Sequence, residues 1–147
     1  AEGEEAWREA LEVNLLAPAR LARAAAPALA VTHGVVVNIL DLAAWQAWPS
    51  YAHYGASKAG LAWLTRTLAV ALGPDVRCVG VAPGLVDFSP ELGPAERERL
   101  ISRVPLRRAG TANDVARAVR YLASADFVTG AVLAVDGGRL VSGGDDW

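Results

Sequence analysis

The chain has 147 residues, 53% of them hydrophobic and 20% charged, and 14 Lys and Arg against 16 Asp and Glu leave a formal net charge of −2 at pH 7. That near balance sets up no basic field for nucleic acid or an anionic membrane, and no unbroken apolar stretch reaches the ~18 residues of a membrane span. The single cysteine rules out a disulfide framework, and the acidic opening is unlike the basic-then-apolar start of a secretory signal, so the cytoplasm is the expected compartment.

Residues 4–29 have helical composition with an alanine-rich apolar face, interrupted by Pro18, which lacks the N–H that would bond the carbonyl of Asn14. The alternative is that Pro18 merely kinks a packed helix. Gly34-Val35-Val36-Val37-Asn38-Ile39-Leu40 is a short β-branched run suited to a buried parallel strand, and it ends in Asp41. Trp45 and Trp48 follow; either could wall a pocket and stack on a flat ring, or simply pack under the loop, with Trp48 the nearer to the next motif.

That motif is Tyr54-Gly55-Ala56-Ser57-Lys58, which sets a phenol and an ammonium one helical turn apart. The cation is expected to shift Tyr54 toward releasing its proton, although a solvated pair on an ordinary helix has the same spacing. Leu61, Leu64, Leu68 and Leu72 continue an apolar stripe, and Val76-Arg77-Cys78-Val79-Gly80-Val81-Ala82 reads as a second buried strand broken by Pro83-Gly84. Strand, helix and strand at this spacing form one βαβ unit.

Residues 85–93 are a proline- and glycine-punctuated loop, and residues 94–100 a short helix with Pro94 in its first turn. Thr111-Ala112-Asn113-Asp114 resembles a helix N-cap box for a helix to residue 123 that turns Val115, Val119 and Leu122 inward. A last strand spans 131–136, after which Gly137-Gly138 and Gly143-Gly144 are expected to open no helix. No glycine-rich turn between a strand and a helix is present to hold a pyrophosphate. His33 and His53 have no metal-ligand companions at sensible spacing, so no metal site is expected, and without a Gly-x-Ser-x-Gly elbow a hydrolase has little support.

From about Trp7 to Leu140 the ordered motifs Val13-Asn14-Leu15, Asn38-Ile39, Tyr54 with Lys58, Ala82-Pro83-Gly84, Pro105-Leu106 and Val135-Asp136-Gly137-Gly138 resemble the C-terminal part of a short-chain dehydrogenase/reductase. The resemblance implies an α/β fold, a Rossmann-type doubly wound parallel sheet, with residues 1–147 forming the C-terminal catalytic portion of one domain. The N-terminal dinucleotide-binding half would then lie on another chain or in a segment outside this sequence. Length points the same way, because a sheet of three strands alone would leave an apolar edge.

The family's Asn, Ser, Tyr and Lys tetrad falls on Asn14, Asp41, Tyr54 and Lys58, at separations of 27, 13 and 4, with only the serine position in disagreement. The resemblance implies that the Asn14 main chain holds a water leading to Lys58, and thence through the cofactor ribose to Tyr54. It implies cofactor contacts at Tyr54, Lys58, Pro83, Gly84, Val86 and Ser89, and a flap over substrate at residues 85–93. Substrate contacts would come from Asp41, Trp48, Tyr54, Leu85 and Phe88. NADPH is the expected cofactor; NADH is not excluded, because the selecting residues belong to the other half. A small-molecule substrate and a homo-oligomer, either dimer or homotetramer, are further expectations.

An ionised Asp41 accepts hydrogen bonds and repels developing negative charge, which argues against simple ketones and suits a nitrogen heterocycle with N–H and amino donors, or one to whose ring nitrogen Asp41 relays a proton through water in place of Tyr54 with Lys58. In this the chain resembles the pteridine reductases and dihydromonapterin/dihydrofolate-type reductases, which carry Asp there; Phe88, where many relatives have a threonine touching the cofactor, points the same way. The alternatives are a lineage substitution in a carbonyl reductase, such as a 3-oxoacyl-[acyl-carrier-protein] reductase, and a noncatalytic oligomerisation fragment.

Overall fold

The three apolar runs form one parallel sheet in the order β1 (Val35–Ile39), β2 (Arg77–Pro83), β3 (Val132–Val135). The computed structural model describes residues 3–88 and 91–142; Ser89, expected above to touch the cofactor, lies outside the described residues. Val35 pairs with Arg77 and Ile39 with Val81, while Gly80 pairs with Val132 and Pro83 with Val135. The middle strand is covered on both faces, as its unbroken apolar sequence requires. Val79 and Val81 point to one side, against Leu122, Val115 and Val119 of α5 (Ala112–Ser124). Ala82 points to the other, where Leu40, Leu42, Leu61 and Ala62 form a second cluster. Side chains alternating across the strand feed two separate cores, and each fully buried valine or leucine stabilises the fold by about 1.5–3 kcal/mol.

Leu61 and Ala62 belong to α3 (Ala52–Leu72), the long helix that carries the Tyr54 turn. Its buried line is Ser57, Leu61, Thr65 and Ala69, in steps of four. The expected leucine stripe is therefore corrected: of its members only Leu61 is buried, while Leu64, Leu68 and Leu72 flank the contact half-buried. Small and polar residues occupy the centre because α3 lies close over the sheet, where Asn38 Nδ2 donates to Thr65 Oγ1 at 2.9 Å and Thr65 Oγ1 donates to the Leu61 carbonyl at 2.8 Å.

Cys78 sits in the same layer with no exposed surface, and burial pushes its thiol up to about 11. The native protein thus holds this proton more tightly than the unfolded chain does. Its contribution to stability is intact below pH ~9 and is lost as the pH rises through 11. A thiol reagent at pH ~8 is expected to label Cys78 only after denaturant is added, as a colorimetric thiol count before and after unfolding would show.

The first predicted helix is really three segments: α1 (Glu4–Leu11), a π-helical turn over Glu12–Leu16, and α2 (Ala17–Val31). The N–H of Ala17 reaches back five residues to the Glu12 carbonyl, and Pro18, which has no N–H, sits in the first turn of α2. Wider turns of this kind recur at functional sites, and this one carries Asn14.

Helix α4 (Pro94–Ser102) starts on Pro94, and α5 starts at a complete capping box: the Thr111 side chain accepts from the Asp114 N–H, and the Asp114 carboxylate accepts from the Thr111 N–H. Thr111→Ala is expected to lower unfolding stability by about 1 kcal/mol, measured by urea titration of the circular dichroism signal. Gly137-Gly138 opens no α-helix, while Gly143-Gly144 lies outside the described residues. Gly137 and Gly138 take positive φ values of 66° and 89°, and a single 3-10 turn over Arg139–Val141 opens directly after them. The Asp136 carboxylate makes it, accepting from the Gly138 and Leu140 N–H groups at 2.9 and 2.6 Å. Among the described residues no helix is long and apolar enough to cross a membrane.

Candidate active site

At the end of β1 the Leu40 N–H still donates to the Val81 carbonyl at 2.7 Å, and Asp41 follows in extended conformation. Its two carboxylate oxygens have different partners. Oδ1 accepts from the Ala43 N–H at 2.8 Å and so caps the 3-10 turn Leu42–Ala44, while Oδ2 accepts from the Tyr54 hydroxyl at 3.1 Å. Helix α3 can come this close because of Gly55, where a Cβ would lie 3.1 Å from the Ala43 carbonyl oxygen. Residues 13 apart in the chain are thereby joined by one hydrogen bond.

Lys58 Nζ lies 5.6 Å from the centre of the Tyr54 ring and donates to the Ile39 carbonyl at 3.1 Å. The expectation that Lys58 would bring Tyr54 toward releasing its proton is overturned. Burial foremost, then the charge of Asp41 and the hydrogen bond to it, raise the Tyr54 phenol well above its ordinary value. Lys58 is moved the other way: burial lowers its ammonium, with Asp41 in partial opposition. The carboxylate is hydrogen-bonded to the hydroxyl whereas the ammonium stands off the ring, so the anion prevails and Tyr54 is held protonated.

Asn14 reaches the site by a route the sequence reading missed. Its Nδ2 donates to Ser57 Oγ at 3.0 Å, and Ser57 Oγ donates to the Tyr54 carbonyl at 2.7 Å. Ser57 is fully buried, and a small polar residue at the centre of an apolar helix face was the signal available for it. Asn14 and Lys58 also line one cleft of about 330 Å³ with Pro18, Leu21 and residues 36–39 of β1.

The outer residues divide into separate places. Trp48 lines a groove of about 350 Å³ with Trp45 and Tyr51, whereas Tyr54 borders a different cavity with Glu9, Asn14 and His53. Pro83 ends β2, and Gly84 donates its N–H to the Val135 carbonyl at 3.0 Å. Leu85 accepts from the Gly110 N–H at 2.8 Å, Val86 bridges Gly110 in parallel fashion, and the Phe88 ring lies 5.4 Å from the Arg97 guanidinium. Behind the Asp41 turn, Leu140 packs into the core cluster of Leu40 and Leu42, and the buried Arg139 gives its carbonyl to Gln46 Nε2 at 3.5 Å.

Asp41, Tyr54 and Lys58, a carboxylate, a phenol and an ammonium, gather at the C-terminal end of one strand of a parallel α/β sheet, the place where such sheets collect functional side chains. The family model described as enoyl-(acyl carrier protein) reductase matches residues 2–139. The chain belongs to the short-chain dehydrogenase/reductase family that this model describes. It is similar to the 3-oxoacyl-[acyl-carrier-protein] reductase FabG of Thermotoga maritima, 33% identical over 94% of this chain and 58% of that protein. It is similar too to the peroxisomal 2,4-dienoyl-CoA reductase SPS19 of Saccharomyces cerevisiae, 34% identical over 90% of this chain and 48% of that protein. Among solved structures, the FolM alternative dihydrofolate reductase 1 of Brucella canis, complexed with NADP, matches with a TM-score of 0.88 and 36% identity, covering 96% of this chain and 57% of that one. The chain thus spans about half the length of the relatives it matches.

Proposed function

We propose that this chain supplies the proton-delivering side of a reductase that transfers hydride from NADPH to a pterin-like ring, a dihydropterin or dihydrofolate. The observation that carries the reading is the 3.1 Å hydrogen bond from the Tyr54 hydroxyl to Asp41 Oδ2, at the position where the family's pattern has serine. A carboxylate there accepts from ring N–H and amino groups and opposes the oxyanion of ketone reduction. The Brucella canis protein, an alternative dihydrofolate reductase complexed with NADP, supports both the ring and the nucleotide.

The donor set fits a nicotinamide ribose: Lys58 has three N–H donors, the Ile39 carbonyl takes one, and the cleft shared with Asn14 opens beside it. Pro83, Gly84, Leu85 and Val86 would border the nicotinamide, with Phe88 on the substrate side, while Trp48 lines a separate groove with Trp45 and Tyr51. NADPH, when bound, supplies the hydride. Tyr54 donates its proton to the ring nitrogen beside the reduced carbon. Lys58 stabilises the phenolate left behind, Asp41 orients the hydroxyl and accepts from the ring's N–H, and Asn14 with Ser57 fixes the turn that carries Tyr54. In this reading the working protein is a cytoplasmic homo-oligomer, dimer or tetramer. A second reading, a 3-oxoacyl-[acyl-carrier-protein] reductase, is favoured by the likeness to the Thermotoga maritima enzyme.

The test is NADPH oxidation at 340 nm by the chain and by the product of its whole reading frame, with dihydropterin, dihydrofolate or a 3-oxoacyl thioester. Asp41→Ser is expected to lower pterin turnover by about tenfold or more, the loss of a charge-assisted hydrogen bond to the ring. A gain of ketone turnover in that variant, with no pterin reduction by the unaltered protein, would favour the second reading. A folded protein blind to NADPH in a fluorescence titration would instead favour a noncatalytic oligomerisation role.

A further inference from the structure

His53 stands half-buried beside Tyr54 at the start of α3, and both residues line a cavity of about 250 Å³ with Glu9 and Asn14. The Trp7 ring meets the imidazole edge to face, with centroids 6.3 Å apart and planes inclined at 63°, a contact that holds the imidazole in place. Glu9 is exposed, so the cavity meets solvent on the α1 side. Asn14 also lines the cleft that contains Lys58, and the two spaces adjoin at this residue. A space of this size, walled by a carboxylate, an amide and an imidazole, has room and partners for several waters at about 30 Å³ each.

We propose that His53 supplies the proton that recharges Tyr54 after each turnover, passing it from solvent beside Glu9 through water in this cavity. The proposal rests on the reading of Tyr54 as the proton donor. Each reduction takes one proton from Tyr54 and leaves a phenolate, which must be protonated again before the next. Burial and Asp41 raise the phenol well above its ordinary value, so this phenolate is a strong base and a ready acceptor. Histidine is the side chain suited to giving and regaining a proton near neutral pH. In the step an imidazolium N–H bond breaks, water carries the proton across, and the Tyr54 O–H bond forms; neutral His53 then takes its next proton from solvent. Glu9 from α1 and Tyr54 from α3 are the other titratable groups on the cavity wall, and among the described residues neither Asp41 nor Lys58 lines it. This entrance is therefore separate from a route through Lys58, which lies in the neighbouring cleft.

His53→Gln removes the exchangeable proton, and His53→Phe does so while keeping a ring against Trp7, which serves should the glutamine variant not fold. The readout independent of substrate is the rate at which the Tyr54 hydroxyl exchanges its proton with solvent. Carbon NMR of Cζ-labelled tyrosine in mixed light and heavy water measures it in the product of the whole reading frame, with the Tyr54 signal assigned by its loss in Tyr54→Phe. Exchange is expected to slow by about 10²-fold in both His53 variants, the lower end of what a positioned proton-transfer group contributes, and to recover as imidazole is added. Steady-state dihydropterin reduction in weak buffer should fall and be rescued in the same way, while the first turnover, which begins with Tyr54 protonated, keeps its rate. Unchanged exchange, or slowed exchange that imidazole does not restore, would overturn the role of His53 and leave it as packing on Trp7. An unaltered protein that reduces no pterin would overturn the proposed substrate, while the exchange comparison still decides His53.

Discussion

Tyr54→Phe is expected to slow dihydropterin reduction by about 10²–10⁴-fold, the range for a lost general acid, while the circular dichroism spectrum stays unchanged. The ring fills the same space, and only the hydroxyl that donates to Asp41 Oδ2 is removed. Because burial and Asp41 hold the phenol protonated, this acid is in its donating form across the whole neutral range. The pH profile of the unaltered protein should therefore show no loss from tyrosine ionisation until well into the alkaline region. Single-turnover absorbance at 340 nm across pH values checks both statements; a Tyr54→Phe protein with unchanged turnover would remove Tyr54 from the chemistry.

Gly84→Ala is expected to reduce kcat/KM by about 10²-fold, the effect of displacing a bound group by roughly an ångström. A Cβ at residue 84 would lie 2.6 Å from the Asp136 Cβ and 2.7 Å from its Cα, and the second of these is main chain that cannot swing aside. The loop after β2 has to move off the turn after β3, taking Leu85 and Val86 with it. Gly80→Ala is a useful contrast, since its conflicts are with the side-chain ends of Leu40 and Val132. That change loads the core and should appear mainly as lost stability, in the ~1–3 kcal/mol range of overpacking. Steady-state kinetics beside urea unfolding separates the two effects.

Much of this was legible in the chain. The β-branched runs gave the strands to within a residue or two, and the Thr111 to Asp114 spacing gave a capping box that the structure completes. The spacing from Asp41 to Tyr54 gave a pair that the structure joins by a hydrogen bond. Three things were not legible. The face of α3 that packs is set by how closely the helix approaches the sheet, which favours Ser57, Thr65 and Ala69 over the larger leucines. The direction in which Tyr54 is shifted depends on which neighbour bonds to its hydroxyl, and one-turn spacing brings Lys58 near the ring without saying where its Nζ points. Leu140 follows a Gly-Gly pair that reads as a loop, and its packing on Leu40 and Leu42, with the hydrogen bond from Gln46 to the Arg139 carbonyl, shows that the segment returns beneath Asp41.

The two oxygens of Asp41, one facing the Ala43 amide and the other the Tyr54 hydroxyl, serve two donors at once. Only a group that is an acceptor at both ends can do so. In an asparagine of the same shape, the Ala43 N–H would claim the oxygen and leave the NH₂ to confront the phenol. Tyr54 would then have to receive at that contact, and its proton would be turned away from the direction in which the carboxylate now points it. A neutral look-alike would thus preserve the outline of the turn while reversing its polarity.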